Sequence, residues 1–189
     1  MEISLIRHGK SQCTENNRIT CKEFESWVRE YDYNGVFEEN SYPSETLNKI
    51  TKANIIITSD LKRAVDSAKL LNPNIKAISV PLFRETELPN PLTKLRKIKL
   101  EPSIWALILR CLWFCGYSRG CESLSEAKDR AKNASEILVE YAQEHISVVL
   151  VGHGFFNMFI AKELQKKGWK GKRKSNSKHW NCTTYSLYN

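Results

Sequence analysis

The 189-residue sequence has six cysteines but no Cys-x-x-Cys pair. That spacing rules out the common zinc scaffolds and gives no small disulfide framework. It also lacks a long apolar run. The longest stretch, Ile104 to Cys115, is interrupted by Arg110 and falls short of the roughly 20 residues a membrane-spanning helix needs. No basic leader with an apolar centre precedes the first apolar residues, so an exported protein is not expected. Free thiols and a cytoplasmic location are expected instead. Neither an internal repeat nor a linker divides the chain, and no helix-turn-helix or similar module supports a nucleic-acid partner.

What is present reads as one globular domain spanning residues 1–189. Hydrophobic residues make up 41% of the chain, enough to bury a core at this length. The net charge of +8 is concentrated, because residues 162–178 carry eight Lys or Arg and one acidic residue. Lys94, Arg96, Lys97 and Lys99 form a smaller basic cluster. A solvated basic loop that draws anionic ligands inward is preferred to a nucleic-acid surface.

Short β-branched runs alternate with helical periodicity. Strands are expected at Glu2 to Ile6, Asn54 to Thr58, Ala77 to Pro81, Ser147 to Val151 and Thr183 to Leu187. Helices are expected at Leu61 to Leu71, with Asp60 as N-cap, and from Ser123 to about Glu144, opened by a Ser-x-x-Glu capping box. A further helix is expected at Phe155 to Lys166. Lys10 to about Ser44 is expected to be a loop followed by short helical pieces. Residues 86–121 are the least regular and are read as an insert. The implied fold is an α/β, three-layer α/β/α sandwich with a mostly parallel central sheet.

In such sheets ligands bind beyond the carboxyl ends of the strands. Arg7, His8 and Gly9 follow the first strand, and Gly152, His153 and Gly154 follow the fourth. Arg63 lies in the first turn of the helix after Ile55-Ile56-Ile57. Two guanidiniums, one imidazole and a helix N-terminus suit a phosphate dianion, and the second imidazole remains free to attack it. Gly9, Gly152 and Gly154 let backbone come close to a ligand.

Arg7-His8-Gly9, the segment Ser59 to Ala64, Arg84-Glu85 and Gly152-His153-Gly154 resemble, in order and spacing, branch one of the histidine phosphatase superfamily. These are the phosphoglycerate mutase-like proteins. The resemblance implies that His8 is a nucleophile that carries the phosphoryl group, while Arg7, Arg63 and His153 clamp the phosphate oxygens. It implies that Glu85 is the general acid, with Glu87 as the alternative two residues on. It also implies that Ser11 and Gly154 contact the phosphate. No cofactor is called for, and no metal, because the arginines supply the positive charge. Lys10 and Thr14 depart from the family pattern, and the extended mutase signature is absent. Hydrolysis of a small phosphomonoester is therefore preferred to mutase-like phosphotransfer and to a weakly active phospho-ligand binding role.

The apolar segment Ser103 to Tyr117 is read equally as a lid or as a buried helix or homodimer contact. As a lid it would place Arg110 against the non-phosphate part of the substrate. His145 and His179 have no motif around them and are read as surface residues.

Overall fold

A computed structural model of the chain describes residues 1–74, 76–91 and 97–188. Among these residues, eight strands, six helices and a short 3₁₀ turn follow one another in an α/β order. The strands are β1 (Glu2–Arg7), β2 (Ile19–Thr20), β3 (Ile55–Thr58), β4 (Ile78–Ser79), β5 (Lys99–Leu100), β6 (Ser147–Gly152), β7 (Lys170–Gly171) and β8 (Cys182–Ser186). The helices are α1 (Cys21–Tyr33), α2 (Ser44–Lys52), α3 (Lys62–Leu71), α4 (Pro102–Phe114), α5 (Leu124–His145) and α6 (Gly154–Lys166), and the 3₁₀ turn is Pro81–Phe83.

The main sheet has the order β4-β3-β6-β1-β8-β7. Its four left-hand strands are parallel, whereas β8 runs antiparallel to β1 and β7 antiparallel to β8. The two-residue alternation of β1 and β6 divides their side chains between two cores. Ile3, Leu5, Val148 and Leu150 meet the alanine face of α5 and the Phe156–Ile160 face of α6. Ile6, Val149 and Val151 meet Ile50 of α2 and Ala68 and Leu71 of α3. Helices thus cover both faces, as expected.

Several local expectations need correction. The segment before α2 contains a full helix, α1, opened by a capping box between Thr20 and Glu23. Asp60 does not cap α3; Leu61 occupies that position, and the Asp60 carboxylate accepts Arg84 Nε at 2.7 Å and Nη2 at 2.5 Å. The irregular insert contains α4 and has a small core of its own, with Trp105 and Leu109 packed on Cys21 and Phe24 of α1. β2 and β5 tie it to the start of α1. The basic segment is not a single loop, since it includes the end of α6 and β7. Lys94 and Arg96 lie outside the described residues. Among the described residues no helix is long and apolar enough to cross a membrane.

Candidate active site

Parallel pairing of β1 with β6 puts Arg7 opposite Gly152, so both histidine triplets leave the sheet at one edge. His8 N–H donates to Gly152 O at 3.0 Å, closing that edge. The two imidazoles meet edge to face, with ring centroids 5.0 Å apart, and both are buried. His8 Nδ1 is 2.7 Å from Gly9 O. A carbonyl can only accept, so Nδ1 carries the hydrogen and Nε2 keeps a lone pair. Burial, and then the charges of Arg63 and Arg7, push the His8 imidazole well below its ordinary value. The ring is therefore neutral near pH 7, and its nitrogen is available.

Arg7 and Arg63 approach from different elements. Gly154 leaves room for Arg7, since a Cβ there would lie 3.3 Å from Arg7 Nε. The Arg7 guanidinium also donates to Ser177 O. Arg63, at the start of α3, donates to Asp32 Oδ1 at 2.7 Å and stacks on the Tyr31 ring at 4.7 Å. Ser67 docks α3 on the first triplet: its Oγ accepts Gly9 N–H at 2.9 Å and donates to Arg63 O at 2.6 Å. Arg7 Nε, Arg63 Nε and both ring nitrogens of His153 are buried without a partner among the described residues. A buried donor left unpaired costs roughly 1–3 kcal/mol, so this cluster suits an anion with several oxygens. Burial, then His8 and the two arginines, also lowers the His153 imidazole.

Glu85 lies at the N-terminus of α6, directly beyond His153. Its Oε1 accepts Phe156 N–H and Thr86 N–H, both at 2.9 Å, and Oε2 accepts Phe155 N–H at 3.1 Å. Glu87 is exposed and does not share this position. Ser11 is buried, and its Oγ accepts Cys13 N–H at 3.2 Å. Arg110 differs from the expectation for a substrate contact. It donates to Thr86 Oγ1, Thr86 O and Glu87 O, which ties α4 to the segment carrying Glu85. Arg130 of α5 holds the same segment through Leu82 O and Arg84 O. The outer face of α4 leaves Ile104, Leu107 and Phe114 40%, 64% and 42% exposed.

His179 is not a detached surface residue. Its Nδ1 donates to His8 O at 2.8 Å, and its ring centroid is 5.4 Å from that of His8. Nothing near it in the chain marks this role; only the pairing of β8 with β1 delivers it. His145 remains at the end of α5, beside Glu144. Among the described residues no group of three or more His, Cys, Asp or Glu side chains is arranged to hold a metal ion.

Comparison with known proteins bears on the fold and the family. No curated protein matches the sequence. Among solved structures, an open reading frame product of Mycobacterium tuberculosis superposes with a TM-score of 0.62 at 16% identity, covering 99% of this chain and 91% of that one. An alpha-ribazole phosphatase from Shigella flexneri gives 0.58 at 14%, covering 100% and 91%. A mycobacterial glucosyl-3-phosphoglycerate phosphatase gives 0.57 at 19%, covering 87% and 79%. At such identities the likeness is one of fold. A sequence profile goes further: that of the histidine phosphatase superfamily (branch 1) matches residues 44–188, so the chain belongs to this superfamily.

Proposed function

We propose that the protein is a phosphatase that hydrolyses a phosphomonoester through a phosphohistidine on His8. The observation that carries this reading is the buried His8 ring with Nδ1–H tied to Gly9 O, next to Arg7 Nε, Arg63 Nε and the His153 ring nitrogens, which have no partner among the described residues. In the first step Nε2 attacks phosphorus, the bond to the ester oxygen breaks, and Glu85 gives that oxygen a proton. Oε2, which accepts a single amide, is the freer oxygen for this task. In the second step a water attacks the same phosphorus, the P–N bond breaks, and Glu85 takes the water's proton. Inorganic phosphate leaves and His8 is restored.

Arg7 and Arg63 would stabilise the equatorial oxygens during both steps. Two guanidiniums supply the charge that a divalent cation supplies in other phosphatases. Chelation is therefore expected to leave the rate unchanged. The phosphatase names of two structural relatives support hydrolysis over mutase-like transfer. Six free cysteines accord with a reducing compartment.

The test is trapping of the intermediate. A panel of radiolabelled phosphomonoesters is offered and quenched in acid and in base. An acid-labile, base-stable phosphoenzyme is expected, and it disappears in His8→Ala. Undiminished hydrolysis by His8→Ala would exclude the mechanism.

A further inference from the structure

We propose that His179 is a positioning residue for the nucleophile: its imidazole fixes the His8 carbonyl and so sets the direction from which His8 acts. The role in turnover rests on the phosphatase reading above, whereas the positioning itself does not.

The reason lies in how the ladder between β1 and β8 ends. Regular pairing stops at Ile6 opposite Cys182. Beyond it the incoming chain turns away, with Trp180 at φ 64°, a backbone region that non-glycine residues seldom occupy. Two more main-chain bonds are made, Arg7 N–H to Asn181 O at 3.2 Å and Trp180 N–H to Arg7 O at 3.0 Å. The next carbonyl of the first triplet, that of His8, finds no amide there. The His179 side chain takes its place at 2.8 Å. A carbonyl beside a buried ring needs a partner, and in this protein a side chain provides it.

The consequence passes along a continuous chain of donors. His179 Nδ1–H holds His8 O, His8 Nδ1–H holds Gly9 O, and Gly9 N–H holds Ser67 Oγ, which in turn holds Arg63 O. The peptide planes on both sides of Gly9 are pinned, and with them the tautomer and tilt of the nucleophile. The His153 ring flanks His8 at 5.0 Å and the His179 ring at 5.4 Å. Burial lowers the His179 imidazole as well, which keeps a third positive charge away from His8.

Three substitutions at this position separate the possibilities. His179→Asn puts an amide N–H close to where Nδ1–H lies, His179→Gln puts it farther out, and His179→Ala removes it. The first measurement needs no turnover: ¹⁵N imidazole spectra report the His8 tautomer. A single Nδ1–H form is expected in the wild type and in His179→Asn, and averaging of both tautomers in His179→Ala.

The second measurement is steady-state hydrolysis of p-nitrophenyl phosphate. Losing one aligned hydrogen bond corresponds to about a 10-fold fall in kcat. That fall is expected in His179→Ala and His179→Gln with KM within about twofold, and His179→Asn should retain most of the rate. If His179→Ala does not fold, the difference between Asn and Gln decides. If the wild type turns over no phosphomonoester, the phosphatase reading fails while the spectra still test the positioning. An unchanged His8 spectrum in His179→Ala, or a His179→Asn variant as impaired as His179→Ala, would overturn the proposal.

Discussion

Gly9 offers the sharpest test of how the site is packed. A Cβ added there would lie 2.0 Å from Trp180 Cζ2 and 2.5 Å from two more atoms of the indole. Restoring ordinary contact at 3.4 Å requires a displacement of about 1.4 Å. The indole has little freedom to give. Its Nε1 donates to Glu39 Oε1 at 2.7 Å, its edge meets the Tyr42 ring at 4.7 Å, and Trp180 O accepts Thr46 Oγ1 at 2.7 Å. Overpacking of this kind costs about 1–3 kcal/mol, and loss of the Glu39 hydrogen bond adds roughly 1 kcal/mol. Gly9→Ala should therefore lose about 2–4 kcal/mol, a fall in Tm of about 4–16 °C for a chain of this size.

The same displacement moves His179 and Ser177, so vanadate binding should weaken in parallel. Gly116→Ala is the control. Gly116 has φ +95° and nothing among the described residues within 4 Å of a new Cβ, so it should cost about 1–2 kcal/mol of backbone strain with vanadate binding intact. Differential scanning calorimetry and a vanadate titration read both outcomes. A Gly9→Ala protein that melts within 1 °C of the wild type, to take roughly the resolution of the method, would refute the packing argument.

Two other perturbations follow from the charges. Burial holds His8, His153 and His179 below the ordinary imidazole value. As the pH falls below about 6.5 the unfolded chain binds protons on these rings and the folded chain does not, so stability is whole above that pH and declines below it. Melting temperatures should drop from pH 7.5 to 5.0 and drop less in His153→Asn; equal slopes in the two proteins would contradict this. Asp32 holds Arg63 at 2.7 Å with a carboxylate that is 42% exposed, and that charge opposes a bound dianion. Asp32→Asn should tighten inorganic phosphate binding about 5-fold, from roughly 1 kcal/mol of screened repulsion. Weaker binding in a calorimetric titration would show that Asp32 acts mainly by holding Arg63 in place.

Much of the sheet was legible because its signals are local. The β-branched runs before Arg7 and Gly152 mark strands whose carboxyl ends carry polar triplets, and the Ser123 capping box marks the start of α5. α1 carried the same kind of signal in Thr20 and Glu23, but its polar, aromatic-rich sequence hides the buried pair Cys21 and Phe24. Asp60 looks like a cap in sequence, yet Arg84, 24 residues later, takes its carboxylate instead. Arg110 sits in an apolar helix where a substrate role is attractive, but the choice of Thr86 as its partner is settled by the docking of the insert. His179 is the clearest case, since its contact spans 171 positions of sequence. No periodicity reports a contact of that range.

The position of β1 also has a consequence for how the molecule forms. It is the first strand in the chain, yet its two neighbours are β6 and β8. Asn157 Nδ2 reaches Ile6 O across 151 positions, and Ser4 meets Thr184 across 180. Contacts that distant in sequence carry a large loop-closure cost and slow folding. During synthesis His8 must wait for β6 and β8 to be made before it acquires its neighbouring strands and the imidazoles of His153 and His179 that flank it. The strand that carries His8 into the site is thus completed only when β8, its more distant partner in sequence, has been made.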